Sequence, residues 1–314
     1  MDSLAMAIAS AVEPLLAQKM DEDAVRRLCE QVVSERAPTV VECSLGDGVK
    51  HRVEGPHKAF FEILGLVQEG IKNIMLIGPG GTGKTTLAGH LGEAFGIPHG
   101  HISLSGGTNE THILGRTLPD ASGAWTFHRS KFTEIYENGG VFLFDEMDAA
   151  EPNVLVSVHA PMANGALALT DGTIIKRHPN CFLIGAMNTN GTGASTMYTA
   201  RNGLDAATLD RFVLATVKVD YDPAIERRAL GLTAFPTTLP KYSGVAAEPA
   251  EIWEWVGCLR ADIDKAGLRR LASTRLVERA GKAAKCGRSM GAIKDRYFVN
   301  WSETELAKLS PEVR

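Results

Sequence analysis

Apolar and polar positions alternate in two different rhythms along the chain. Near the start, Leu4, Ile8, Val12 and Leu15 recur at helical spacing, and residues 1–36 read as helical. Pro38, the Val40-Val41 pair and the Asp47-Gly48 turn signal then predict a short hairpin. Pro56 opens a predicted helix, HKAFFEILGLVQEG, with Phe60, Phe61, Leu64 and Val67 at helical spacing. From Ile74 the rhythm changes. Apolar runs at 74–77, 101–104, 141–144, 182–186 and 213–219 alternate with helical stretches, which predicts an α/β domain built on a mostly parallel sheet. The alternation stops near Asp222-Pro223. Residues 223–232 and 249–308 read as helices, joined by the connector FPTTLPKYSG, which predicts a small α-helical second domain. The expected organisation is an extension over 1–54, an α/β core over 55–222 and a helical lid with a tail over 223–314.

Composition narrows the class. The 314 residues are 44% hydrophobic and 22% charged, enough for a sizeable core and about two domains. The five cysteines form no CxxC pair, so neither a disulfide framework nor a zinc knuckle is predicted, and a reducing, cytoplasmic setting fits. Asp2 stands where a signal peptide would be basic, and Glu13 interrupts the apolar run that follows. No run approaches the roughly 20 apolar residues that cross a bilayer, so no membrane insertion is expected. The net charge of −4 speaks against a generic nucleic-acid binder, although residues 259–296 carry eleven Lys/Arg against four acids, a local +7. That basic stretch fits a solvated helical face as well as a surface toward nucleotide or nucleic acid.

The chemistry begins directly after the run at 74–77. Gly78, Pro79, Gly80, Gly81, Thr82, Gly83, Lys84 and Thr85, followed by Thr86, match GxxxxGK[ST] in full, between a predicted strand and a predicted helix. Glycine backbone N–H groups and a helix N-terminus suit a phosphate chain. Lys84 would reach the β- and γ-phosphates and Thr85 would ligate Mg²⁺. In VFLFDEMD, residues 141–148, four apolar residues deliver Asp145 and Glu146 to the C-terminal end of a strand. One carboxylate would hold the hydrated metal and the other would polarise the attacking water. CFLIGAMNTNG ends a third strand in Asn188, either a water-orienting amide or a turn residue. Arg211 follows the short helix of LDAATLDRF. It suits compensation of the helix dipole, or an arginine finger reaching a neighbouring subunit's site.

In this order the elements resemble those of AAA+ ATPases, and the runs EPNVLVSVHAPMANGALALTDGTIIKRHPNCFLIGAMNTNGTG and NTNGTGASTMYTARNGLDAATLDRF resemble the MoxR-like, dynein-related branch, with CbbQ, NorQ and CobS ATPases the nearest in pattern. The resemblance spans about residues 55–290. It implies that Asn188 is sensor 1, Arg211 the trans arginine finger and Arg275, in ASTRLVERA, the sensor 2 arginine of the lid. It further implies ATP and Mg²⁺ as cofactors, a ring, expected to be a hexamer, and a client or adaptor protein such as one with a von Willebrand factor A-type domain. One departure is plain: Tyr198 is kept, but Arg201 stands where the pattern has glycine, either a second cis or trans contact or a surface arginine. The segment ILGRTLPDASGAWTFHRSKF reads as a hairpin turning at Asp120 to Gly123, with Trp125 and Phe127 on one face, either gripping a client or packing inward. ALALTDGTIIK is a second expected hairpin. Two other classes stay open, a nucleic-acid motor such as a GTP-driven restriction subunit and a small-molecule P-loop kinase. Base preference is open as well, with His57 and Phe60 as candidate borders of the base. His99 and His101 lack metal-ligand partners at usable spacing, and no nucleophile elbow is present.

Overall fold

The computed structural model describes residues 40–44, 49–119, 121–232 and 246–314. The expected helix over 1–36, the Asp47-Gly48 turn and the FPTTLPKYSG connector lie outside them. The first hairpin is present as β1 (Val40–Cys43) paired antiparallel with β2 (His51–Glu54). Helix α1 (Ala59–Gln68) begins one turn after Pro56 and buries Ala59, Phe60 and Ile63. Phe61, expected on the buried face, is instead 40% exposed, because the buried stripe runs through Ala59, Phe60 and Ile63 and Phe61 lies about 100° round the helix from Phe60.

Five parallel strands form the central sheet: β3 (Asn73–Ile77), β4 (His99–Ser103), β7 (Gly140–Asp145), β10 (Cys181–Met187) and β11 (Thr216–Lys218). Their order is β11-β3-β10-β7-β4, so all five C-terminal ends lie on one edge, where open α/β sheets bind ligands. The unbroken VFLF run of β7 has a simple cause. Side chains alternate across a strand, so Val141 and Leu143 enter the core on one face while Phe142 and Phe144 enter the core on the other. Helix α2 (Lys84–Phe95) covers the first of these faces through Leu87, Leu91 and Phe95. Gly185, mid-strand in β10, leaves room for Met147 Sδ, which would lie 2.5 Å from any Cβ placed there. The predicted strand at 213–219 begins only at Thr216. Leu214 is 89% exposed with φ 58°, a left-handed turn residue that delays the strand.

Between sheet strands the chain adds α3 (Glu110–Leu114), the hairpin β5 (Gly115–Pro119) with β6 (Trp125–Arg129), α4 (Lys131–Asn138), α5 (Pro152–Asn164), the hairpin β8 (Ala166–Ala168) with β9 (Ile174–Lys176), and α6 (Ala206–Asp210). Trp125 and Phe127 part company: Trp125 is 71% exposed, whereas Phe127 packs on the core over Gly115. After β11 come α7 (Pro223–Leu230), α8 (Pro249–Ala266), α9 (Thr274–Lys285), α10 (Met290–Phe298) and α11 (Glu303–Leu306). Proline occupies the first helical turn of α7 and α8, where its missing N–H has no partner to lose. These helices gather a core of their own around Ile252, Val256, Leu259 and Val277, and the Trp255 indole donates to the Val313 carbonyl at 2.9 Å. Among the described residues no helix is long and apolar enough to cross a membrane.

Candidate functional site

The loop after β3 is shaped by what surrounds it. At Gly78 a side chain has no space, since a Cβ would stand 2.0 Å from the Val219 carbonyl oxygen. Gly83 caps α2 with φ 95°, a left-handed conformation that glycine adopts without steric cost. The turn so made points the N-terminus of α2 into a cavity of about 340 Å³. Gly80, Gly81, Thr82, Gly83, Lys84, Thr85 and Thr86 line it, together with Asp145, Glu146, Asn188 and Arg275. Gly78 and Pro79 do not face the cavity. They serve the loop from behind, as carbonyl acceptors for Lys84 Nζ at 2.7 and 2.9 Å.

Lys84 Nζ also donates to Asn188 Oδ1 at 2.9 Å, which joins the loop to the end of β10. Burial pulls the Lys84 ammonium down to about 8, against the opposing pull of Asp145, Asp148 and Glu146. Thr85 Oγ1 donates to Asp145 Oδ2 at 2.9 Å, and Asp145 Oδ1 accepts the Glu146 N–H at 3.0 Å. Glu146 itself has φ 56° and ψ 41°, unusual for a residue with a side chain, and its carboxylate side chain is 45% exposed.

Four residues complete the site: Asp148 and Tyr221, to which the sequence reading gave no role, and Tyr198 and Arg201, which it noted only within the resemblance. Asp148 is fully buried, and its Oδ2 accepts from Asn188 N at 3.1 Å, Thr189 N at 2.9 Å and Thr189 Oγ1 at 2.8 Å. It therefore holds the backbone that carries Asn188. Tyr198 Oη accepts the Gly80 N–H at 2.8 Å, and Tyr221 Oη donates to the Gly80 carbonyl at 3.4 Å. Arg201, open in the sequence between a further cis or trans contact and a surface residue, has a side chain only 13% exposed and faces both Glu146 and Asp148 of its own chain. The third acid of VFLFDEMD and the arginine in place of glycine were the available signals.

The helical region closes one side of the cavity. Arg260 forks onto Glu226 at 2.9 and 2.6 Å, and Thr274 Oγ1 donates to the same buried carboxylate at 2.7 Å. Thr274 opens α9, so this network sets the position of Arg275 at the cavity wall. At the far end, His57 Nδ1 accepts the Ala59 N–H at 3.0 Å, so Nε2 carries the proton and donates to the Asp220 carbonyl at 2.8 Å. Burial lowers the His57 pKa and keeps the ring neutral. His57 lines the cavity, whereas Phe60 lies beneath it, edge-on to His90 at 6.2 Å between ring centroids. Arg211 is absent from the lining. Its Nε donates to the His159 carbonyl at 3.3 Å and its Nη1 to that of Ala207.

A parallel sheet with a glycine-built phosphate loop at its ligand edge and paired carboxylates on a neighbouring strand defines a P-loop nucleotide-binding α/β protein. Residues 73–212 match the AAA domain of the dynein-related subfamily. An uncharacterized protein of Staphylococcus haemolyticus (strain JCSC1435) is 30% identical over 263 residues, which cover 73% of this chain and 91% of that relative. The chain belongs to the AAA family of ATPases. Uncharacterized proteins of Staphylococcus saprophyticus (strain ATCC 15305) and Staphylococcus epidermidis (strain ATCC 35984) are 30% and 29% identical over 161 residues. The match spans 56% of the length of each of these two.

The depressed Lys84 pKa has a measurable consequence. A triphosphate favours the charged ammonium, so binding takes up a proton wherever the empty site has lost it, which is above about pH 8. Affinity for ATP is expected to weaken as pH rises through 8, by at most about tenfold per pH unit for one linked proton. Titration of a fluorescent ATP analogue from pH 7 to 9.5 reads this directly, and Lys84→Ala, which lacks the group, is expected to bind weakly with a flat profile.

Proposed function

We propose that this AAA ATPase is a Mg²⁺- and ATP-dependent remodeller of the MoxR-like branch, similar to CbbQ, NorQ and CobS ATPases, which works as a hexameric ring on a client protein or metal-centre complex. The supporting observation is the position of Arg211. Every other side chain assigned to the chemistry, Lys84, Thr85, Asp145, Glu146, Asn188 and Arg275, lines the cavity of its own chain, while Arg211 ends a short helix outside it. A finger that serves the neighbouring site in a ring would stand in that relation to its own.

The donors at the loop fit a magnesium ion. Thr85 Oγ1 and Asp145 Oδ2 lie 2.9 Å apart, a hydroxyl and a carboxylate of the hard oxygen type that Mg²⁺ takes, and these two residues would hold it. When bound, the ion neutralises charge on the β- and γ-phosphate oxygens. Lys84 exchanges its backbone carbonyl partners for phosphate oxygens. Glu146 would accept a hydrogen bond from the attacking water and take its proton as the new bond to phosphorus forms, and Asn188 would orient that water without adding negative charge. Arg275 follows the lid, and Arg211 of the next subunit meets the charge that develops as the bond breaks. Motion of the helical lid against the sheet then carries force to the client, through a von Willebrand factor A-type adaptor where one is used.

Four of the eleven basic residues at 259–296 have places within the chain: Arg260 and Arg270 are paired with Glu226 and Glu305, Arg275 faces the cavity, and Lys294 is buried and donates to the Glu312 and Arg314 carbonyls. The other seven are exposed, so a nucleic-acid motor stays the second reading, and salt-dependent binding to DNA tests it. Light scattering in Mg²⁺/ATP tests the ring reading. A particle near six times 33.7 kDa is expected, with Lys84→Ala remaining small. Full hydrolysis by a monomer overturns it.

A further inference from the structure

Arg211 follows α6, and a helix of five residues is too short to hold its own position in water. What the surrounding chain grips must place it. Leu204 before the helix and Phe212 after it sink into the core, and between them Thr208 is the one buried residue of α6. Apolar packing tolerates a rotation of the helix that a hydrogen bond resists, because the bond weakens as its angle closes. The helix is therefore oriented by a threonine.

The partner of that threonine comes from α5. His159 Nε2 lies 2.8 Å from Thr208 Oγ1, and both side chains are buried. The same residue meets the arginine itself, since its backbone carbonyl accepts from Arg211 Nε at 3.3 Å. The other contacts reach backbone groups: Asp205 Oδ1 accepts the Thr208 N–H at 2.7 Å, Arg211 Nη1 donates to the Ala207 carbonyl, and Asn73 Nδ2 donates to the Arg211 carbonyl at 3.4 Å. Burial and the nearby Arg211 charge lower the His159 pKa, against the opposing pull of Asp205. The ring is neutral at pH 7 and does not repel the guanidinium. His159 is also absent from the cavity lining, so it has no contact with a nucleotide of its own chain.

On the ring reading above, we propose that His159 is a positioning residue for Arg211: through Thr208 it sets the angle at which α6 presents the guanidinium to the neighbouring subunit's phosphates. It acts on the next subunit's site and leaves its own untouched.

Thr208→Val keeps the branched shape without the hydroxyl, and His159→Leu removes the ring nitrogens. Both strand a buried polar partner, so both are expected to lower the melting temperature. Each is also expected to lower kcat by about 10²-fold, the scale of a slightly misplaced group, with KM for ATP unchanged. His159→Gln, whose amide nitrogen can stand near the place of Nε2, is expected to restore kcat to within a few-fold of wild type. Mixing then shows which half of a shared site has failed. His159→Leu subunits mixed with Glu146→Gln subunits are expected to regain hydrolysis, because the first supply intact cavities and the second a correctly held Arg211. Mixed with Arg211→Ala subunits they are expected to regain none, since both lack the same half. Thr208→Val is read in the same mixtures if His159→Leu does not fold. Recovery with Arg211→Ala, no recovery with Glu146→Gln, or a raised KM overturns the proposal. If Glu146→Gln and Arg211→Ala subunits fail to complement each other, the ring reading falls and this proposal with it, whereas a failure confined to the His159→Leu and Thr208→Val mixtures leaves the ring reading standing.

Discussion

Glu146→Gln is expected to lower ATP turnover by about 10²- to 10⁴-fold while nucleotide still binds, the range over which a positioned general base acts. The expectation rests on separation of duties at the end of β7. Asp145 is committed to Thr85 and to the Glu146 backbone, so it suits the metal and cannot also approach a water. Glu146 lines the cavity, and among the described residues its carboxylate makes no hydrogen bond to the loop and one long ion-pair contact, to Arg201. Glutamine preserves shape and removes the basic oxygen. Single-turnover hydrolysis beside binding of a fluorescent nucleotide separates the two effects. Turnover within a few-fold of wild type would remove Glu146 from the chemistry. On the proposed remodeller reading, a protein trapped with ATP bound would also retain a client, which makes this variant the means to identify one.

Arg211→Ala is expected to cost about 10³- to 10⁵-fold in turnover, the range measured for arginine fingers. The guanidinium cannot contribute to its own chain's cavity as it stands, so the loss would appear at the neighbour's site. Mixing distinguishes the two roles open to this residue. Glu146→Gln and Arg211→Ala subunits are each expected to be nearly inactive alone, but a mixed ring contains sites that combine an intact Glu146 with an intact Arg211. Recovery of hydrolysis on mixing is expected. If Arg211 serves only to satisfy the His159 and Ala207 carbonyls at the end of α6, Arg211→Ala lowers the melting temperature and mixing recovers nothing.

Much of the fold was readable because its signals are local. The VFLF and CFLIGAM runs are buried on both faces, which demands continuous apolar sequence. The glycines of the phosphate loop answer a backbone requirement within a few residues. Errors fell where the deciding partner is distant or the geometry is a turn. Phe61 shares helical spacing with Leu64, yet the face that meets the core is the neighbouring one, through Ala59, Phe60 and Ile63. Residues 213–215 are apolar enough for a strand, but Leu214 turns in a left-handed conformation before β11. Trp125 and Phe127 share a face in a period-2 pattern, and only the proximity of Gly115 and the core separates their fates.

The site divides in the same way. The sequence alone determined the phosphate loop, the Asp145 and Glu146 pair, Asn188 at a strand end and the order of elements around them, because each is a short motif whose chemistry is set by its own residues and the strand that presents them. Only the tertiary structure decided that Gly78 and Pro79 stand behind the cavity, that Asp148 holds Asn188, and that Tyr198 and Arg201 reach the loop and Glu146 from a segment more than fifty residues further along the chain than Glu146. Those contacts arise where parallel strands bring their C-terminal ends to one edge, a closeness in space that no spacing along the chain records.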